Sequence, residues 1–292
     1  MKLGLQVNNF AWKDGPPSIR SHVADLVRAA EQAGFYSIWV MDHYFQIPDF
    51  GPVEDPMLEA YTLLGYIAAI TGRVKLGTMV SGAMYHSPGI LAKTVTTLDT
   101  LSGGRAYFGI GAGWFEPEAL ALGIPFLSTK ERLERLEETL QIVRQMWSED
   151  NGPYEGKHYQ LGQTLNSPQP ISRPHPPILI GGTGEKKTLR LVAQHGDACN
   201  LWYSDMDDVK RKLDVLKQHC SDVGRDYDDI ERTVIGDPPE ESGKINPAEM
   251  VAECVRLAEQ GIQQWIVEMN RPLTPADAEI FGRDVIPMIL NL

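Results

Sequence analysis

The chain has 292 residues, 42% hydrophobic and 23% charged, a balance that excludes a disordered, collagen-like or disulfide-dense protein. Asp and Glu number 39 against 27 Lys and Arg, and the net charge of −12 argues against general binding to phosphate backbones. No apolar run approaches the ~18–20 residues of a bilayer span. The opening seven residues are too short for a signal segment, and Cys199, Cys220 and Cys254 fit no metal or redox spacing. A cytoplasmic protein with no membrane or nucleic-acid partner is expected.

The first strand, 2–7, begins at once and ends at Asn8-Asn9, without the glycine-rich phosphate turn of a doubly wound sheet. A helix over 18–33 puts Val23, Leu26, Val27 and Ala30 on one face and stops at Gly34. The second strand, 37–41, runs into Asp42-His43-Tyr44-Phe45, where a histidine just past a strand end can shuttle a proton near neutral pH. The alternative is that Asp42 and His43 only satisfy local backbone groups. After a helix over 62–69 comes strand 74–79, then a small apolar turn with Tyr85 and His86 at its rim and Ser87-Pro88 opening a helix over 88–101. The fourth strand, 106–111, leads into Gly111-Ala112-Gly113-Trp114-Phe115-Glu116, whose glycines let backbone approach a ligand.

The helix over 128–147 carries a capping-box pattern, Ser128 with Glu131, and an apolar stripe from Leu133 to Trp147. Residues 149–177, rich in Gly, Pro, Tyr and Gln, read as an insertion over the barrel mouth with a small hairpin at 154–161. The fifth strand, 178–181, ends in Gly181-Gly182-Thr183-Gly184, and a helix over 185–195 follows. Free amides at a helix start, with Lys186, Lys187 and Arg190 nearby, suit an anion; the alternative is an ordinary glycine turn with solvated lysines. Strands 198–202, 231–235 and 264–268 alternate with helices over 206–223, 247–260 and 275–290. The loop 236–246 reads as a mobile segment, a candidate lid.

Eight strands alternating with helices predict a single-domain (β/α)8 TIM barrel over residues 1–292, with its active site at the C-terminal strand ends. A doubly wound sheet is the second choice. No metal-ligand spacing and no Gly-x-Ser-x-Gly elbow are present, so metal and serine hydrolases have no support.

Several strings together are specific. They are Ala33-Gly34-Phe35-Tyr36-Ser37-Ile38-Trp39 through Asp42-His43, and Leu101-Ser102-Gly103-Gly104-Arg105 followed by Gly109-Ile110-Gly111-Ala112-Gly113-Trp114. Pro177-Ile178-Leu179-Ile180-Gly181-Gly182 joins them. On these the chain resembles the bacterial luciferase-like flavin and deazaflavin oxidoreductases, and its wording resembles the branch that uses coenzyme F420. The resemblance implies a non-prolyl cis peptide at Met79-Val80 behind the cofactor ring, and a phosphate site at Gly181, Gly182, Thr183 and Gly184. It implies that Asp42, His43, Thr78, Met79, Val80, Ala112 and Gly113 line the cofactor, and that the protein is a homodimer.

The glucose-6-phosphate dehydrogenases of that family carry a Trp where this chain has Ile47 and a catalytic Glu where it has Trp114. Trp114, Tyr85 and Ile47 therefore suggest a pocket for an apolar or planar small molecule. The expected activity is F420-dependent hydride transfer with His43 as first proton carrier, and His86 and Glu116 as further candidates. An FMN-dependent monooxygenase is the alternative within the family. A non-catalytic cofactor-binding protein is the alternative outside it.

Overall fold

The computed structural model describes all residues, Met1–Leu292. Eight parallel strands form a barrel: β1 (Lys2–Val7), β2 (Ser37–Val40), β3 (Lys75–Thr78), β4 (Phe108–Gly111), β5 (Ile178–Gly181), β6 (Ala198–Trp202), β7 (Glu231–Gly236) and β8 (Gln264–Val267). Pairing runs from β3 through β2, β1, β8, β7, β6 and β5 to β4. The circle closes because β3 is split. Lys75–Thr78 pairs with β2, while the chain resumes as Ser81–Gly82 and pairs with β4. A bridge from Leu76 to Ala106 ties the lower half of the seam. The third strand was expected unbroken over 74–79; its break falls at the Met79-Val80 peptide, which is cis as the resemblance implied.

Two apolar layers result from the alternation of side chains along each strand. Outward residues such as Leu5, Ile38, Leu76, Ile110 and Ile180 pack under the helices in the main core. Inward residues Trp39, Tyr107, Leu179, Ala198, Ile235 and Ile266 fill the barrel interior, with Met79 and Val80 packed against them. The barrel is thus plugged from below, as this architecture requires. Gly77 makes room for the plug, since a Cβ there would sit 2.6 Å from the Trp39 ring.

The helices are α1 (Ile19–Ala33), α2 (Ala60–Ile70), α3 (Pro88–Ser102), α4 (Glu116–Ala121), α5 (Thr129–Met146), α6 (Thr188–His195), α7 (Met206–Val223), α8 (Pro247–Glu259) and α9 (Pro275–Ile280). Beyond α9 a π-helical turn, Phe281–Val285, interrupts the single helix expected over 275–290. Helix α6 begins three residues later than its pattern suggested, leaving 185–187 in the glycine turn. Helix α4 was not anticipated, and it matters for the site.

Residues 149–177 do not roof the barrel mouth. The hairpin forms, with Tyr154–Glu155 against Gln160–Leu161. Its turn, however, is held on the flank of α5, where the buried Glu138 carboxylate accepts the amides of Lys157, His158 and Tyr159. Further along, Asp99 of α3 accepts the amides of Ile171 and Ser172 at 2.7 and 2.9 Å. Buried carboxylates facing outward from α3 and α5 thus draw the insertion down the outside of the barrel. The segment 236–246 forms a second hairpin, Glu240–Glu241 with Lys244–Ile245, closed by Asn246 N–H on the Pro239 carbonyl at 2.8 Å. No helix is long and apolar enough to cross a membrane.

Candidate active site

A cavity of about 400 Å³ opens at the C-terminal ends of the strands. Its floor is the Met79-Val80 step. Val80 is wedged between two strand ends: a Cβ on Gly111 would lie 2.8 Å from its Cγ2, and one on Gly181 2.8 Å from its Cγ1. Only glycine at both places lets an apolar surface lie there. The step is braced by Thr78, whose hydroxyl donates to the Gly109 carbonyl at 2.9 Å and lies 2.9 Å from Ser81 Oγ. Thr78 is therefore a support beneath the cavity. From β1 the Gln6 amide donates to the Met79 carbonyl at 3.3 Å, and its buried Oε1 has no partner.

Beside the floor stand two histidine–carboxylate pairs. Asp42, buried at the end of β2, accepts the Gly82 amide at 3.0 Å and His86 Nε2 at 2.7 Å. Burial disfavours a charged His86, but the Asp42 hydrogen bond and the charges of Asp42 and Glu59 outweigh it and raise its pKa. His86 stands behind Asp42 and is not among the cavity-lining residues. His43 does line the cavity, and its Nδ1 lies 3.0 Å from Glu118 Oε2. The other oxygen of Glu118 accepts the amides of Tyr44 and Phe45 at 2.6 and 2.8 Å. Burial alone would raise the Glu118 pKa; the His43 and Phe45 hydrogen bonds reverse this and hold it low. An ionised Glu118 only accepts, so His43 carries a hydrogen on Nδ1, while its Nε2 has no partner within the chain.

Glu116, the expected carboxylate, is exposed at the first position of α4 and takes no part in the cavity. Glu118 occupies the place beside His43. A signal for this was present: Phe115, Glu118 and Ala119 share the i, i+3, i+4 spacing of a buried helix face, and Glu116 falls off it.

The walls are aromatic and, at one end, acidic. Ile47 and Phe50 come from the loop after β2, and Tyr85 from the loop after the split strand. Trp114 and Trp202 stand at the mouth, 55% and 48% exposed. Ala112 and Gly113 continue the floor, with the Gly113 carbonyl accepting from Arg132 of α5. At the far end lie Asp49 and Glu268, while Asn200 lines the wall beside Gly181. Burial, with the charges of Asp237 and Asp49, pushes the Glu268 carboxyl up to about 8. Gln6, Asn200, Trp202 and Glu268 are lining residues that sequence patterns did not single out.

On the β5 side the cavity reaches Gly181, Gly182 and Thr188 and opens toward the glycine turn. Thr183 and Gly184 are exposed just beyond the lining. The amides of residues 183–187 donate to no backbone carbonyl. Exposed Lys186, Lys187 and Arg190 surround them without an ion pair, since the adjacent Glu185 is held by Arg211. The turn can thus receive an anion. No group of three or more His, Cys, Asp or Glu converges in a metal-binding arrangement.

A family model described as luciferase-like monooxygenase matches residues 1–238. An uncharacterized protein of Mycobacterium tuberculosis is 30% identical over 216 residues, spanning 70% of this chain and 75% of that one. An F420-dependent glucose-6-phosphate dehydrogenase of Kineococcus radiotolerans is 31% identical, over 80% of this chain and 66% of its own length. An FMNH(2)-dependent dimethylsulfone monooxygenase of Pseudomonas putida is 26% identical, over 78% of this chain and 62% of that one. Among solved structures, an F420-dependent secondary alcohol dehydrogenase superposes with a TM-score of 0.83 at 19% identity, covering 99% of this chain and 98% of that one. That likeness speaks for the fold.

Proposed function

Because the chain belongs to the luciferase-like monooxygenase family, we propose that it is an F420-dependent oxidoreductase that moves a hydride between the deazaflavin and a small organic substrate. The observation that carries the reading is His43, fixed through Nδ1 by Glu118 and free at Nε2, beside an apolar floor that leads to an anion-receiving turn. The residues fit the cofactor: Val80 between two glycines offers a surface for a planar ring, and the unpaired amides with Lys186 and Lys187 offer a seat for its phosphate and acidic tail. When bound, a deazaflavin supplies two-electron hydride chemistry, because carbon stands where a flavin has its reactive nitrogen.

The chain's own residues then have separate tasks. Val80, Gly111 and Gly181 set the plane of the ring site. His43 Nε2 accepts or returns the substrate proton that accompanies the hydride, and Glu118 keeps it in that tautomer. Trp114, Phe50 and Tyr85 exclude water and hold the substrate by its apolar surface. The relatives named for F420 support the choice of cofactor.

A second reading, an FMN-dependent monooxygenase, is favoured by the dimethylsulfone monooxygenase relative. Titration of the purified protein with F420 and, separately, with FMN, followed by cofactor fluorescence, distinguishes the two. Tight binding of F420 over FMN is the expected result. Preference for FMN, with oxygen consumed when the flavin is supplied reduced, would transfer the protein to the second reading.

A further inference from the structure

The lining of the cavity contains Asp42, Asp49 and Glu268 but no Lys or Arg. Asp42 is satisfied by His86 and Gly82. Glu268 is not. It follows β8, is 2% exposed, and faces the cavity, yet its carboxyl has no hydrogen bond or ion pair within the chain. Two contacts gather further acids around it. Glu268 N–H reaches the Gly236 carbonyl at 3.4 Å, which sets Asp237 at the neighbouring strand end. Asn9 donates to the Phe50 carbonyl at 2.9 Å and draws the loop bearing Asp49 across β1, the strand beside β8. The cation in this quarter, Arg271, is taken by Asp277 at 2.6 and 2.9 Å. A buried carboxyl with no cation is costly as an anion, and its proton is retained to about pH 8. The same cavity is lined by the rings of Phe50, Tyr85, Trp114 and Trp202, and aromatic faces attract cations.

We infer that the substrate of this cavity carries a positively charged nitrogen, an ammonium, iminium or quaternary group seated between Glu268 and the aromatic walls. Such a group supplies the one charge that the site lacks. The same lining, which carries acids and no Lys or Arg, disfavours a sugar phosphate. The inference rests on the proposed function only in taking this cavity as the substrate site.

The test compares choline with 3,3-dimethylbutan-1-ol, which has the same shape without the charge. Binding of each is measured by calorimetry to the full-length protein, with and without saturating F420. Choline is expected to bind at least about tenfold more tightly, a difference of ~1.4 kcal/mol, and Glu268→Gln is expected to abolish that preference. Asp49→Asn, at an exposed position, is expected to weaken it in the same direction. Equal binding of the two probes, no binding of choline, or a preference that survives Glu268→Gln overturns the inference. Separate F420 titration of each variant shows that it is folded. Loss of F420 binding in the wild-type protein with the choline preference intact would defeat the cofactor reading alone; the converse pattern would defeat this inference alone.

Discussion

Glu118 grips His43 from a helix 75 residues away in sequence, one carboxylate oxygen on the ring nitrogen and the other on the two amides that follow the histidine. Loop and side chain are thus fixed by a single buried group. Glu118→Gln keeps the shape and an acceptor for the amides, but presents an NH2 group to Nδ1 and drives the hydrogen to Nε2. Turnover should fall by about 10²-fold, with F420 affinity nearly unchanged. Equal turnover in this variant and the wild-type protein would remove Glu118 as an orienting group. His43→Ala should cost at least as much.

The wedge at the floor gives a second expectation. Gly111→Ala brings a methyl to 2.8 Å from Val80, and overpacking of this kind costs about 1–3 kcal/mol. The lost stability and the weakened F420 binding should both return when Val80→Ala is added. A double-mutant cycle by thermal melting and cofactor titration measures the coupling. Additive effects would mean that Val80 does not fill the gap between the strand ends.

Glu268 makes stability depend on pH in an unusual direction. Its folded pKa of about 8 stands above the ordinary 4.5, so between these values the folded state holds a proton that the unfolded chain has released. This group therefore favours folding most below about pH 4.5, and its contribution declines as pH rises toward 8. Glu268→Gln removes the dependence. The melting temperature of the variant relative to wild type should climb between pH 5 and 8, by on the order of a few degrees. A flat or falling difference would show that the carboxyl is paired in solution.

The basic turn should be read through salt. Lys186→Ala combined with Lys187→Ala removes two exposed charges beside the free amides. F420 affinity should drop by about tenfold at low ionic strength, and by less above ~0.3 M salt, where exposed charges are screened. Affinity that is unaffected at any salt concentration would place the acidic tail elsewhere.

The barrel was legible because buried parallel strands read as continuous apolar runs, and because Gly34 and Gly103 end helices with φ of 96° and 72°. The Leu101–Arg105 string, informative for family, turns out to serve the opposite end of the barrel. The buried Arg105 guanidinium caps carbonyls of Ala68, Thr71 and Val74. The acidic end of the cavity was invisible for a physical reason. Glu268 resembles the polar last residue of a strand, and its isolation depends on loops from β2 and β7 that fold across it. The insertion differs for a related reason: its length predicts a loop, while its path is set by Glu138 on the helix just before it and by Asp99, 72 residues before Ile171.

The split of β3 divides the molecule by rate of permissible change. Met79-Val80 forms the floor and Ser81–Gly82 closes the barrel, all within the four residues that follow Thr78. A substitution there touches closure and cavity floor together. Ile47, Asp49, Trp114 and Glu268 lie beyond the pairing that closes the circle. Descendants of this chain can thus vary the walls of the cavity through those loops while inheriting its floor unaltered.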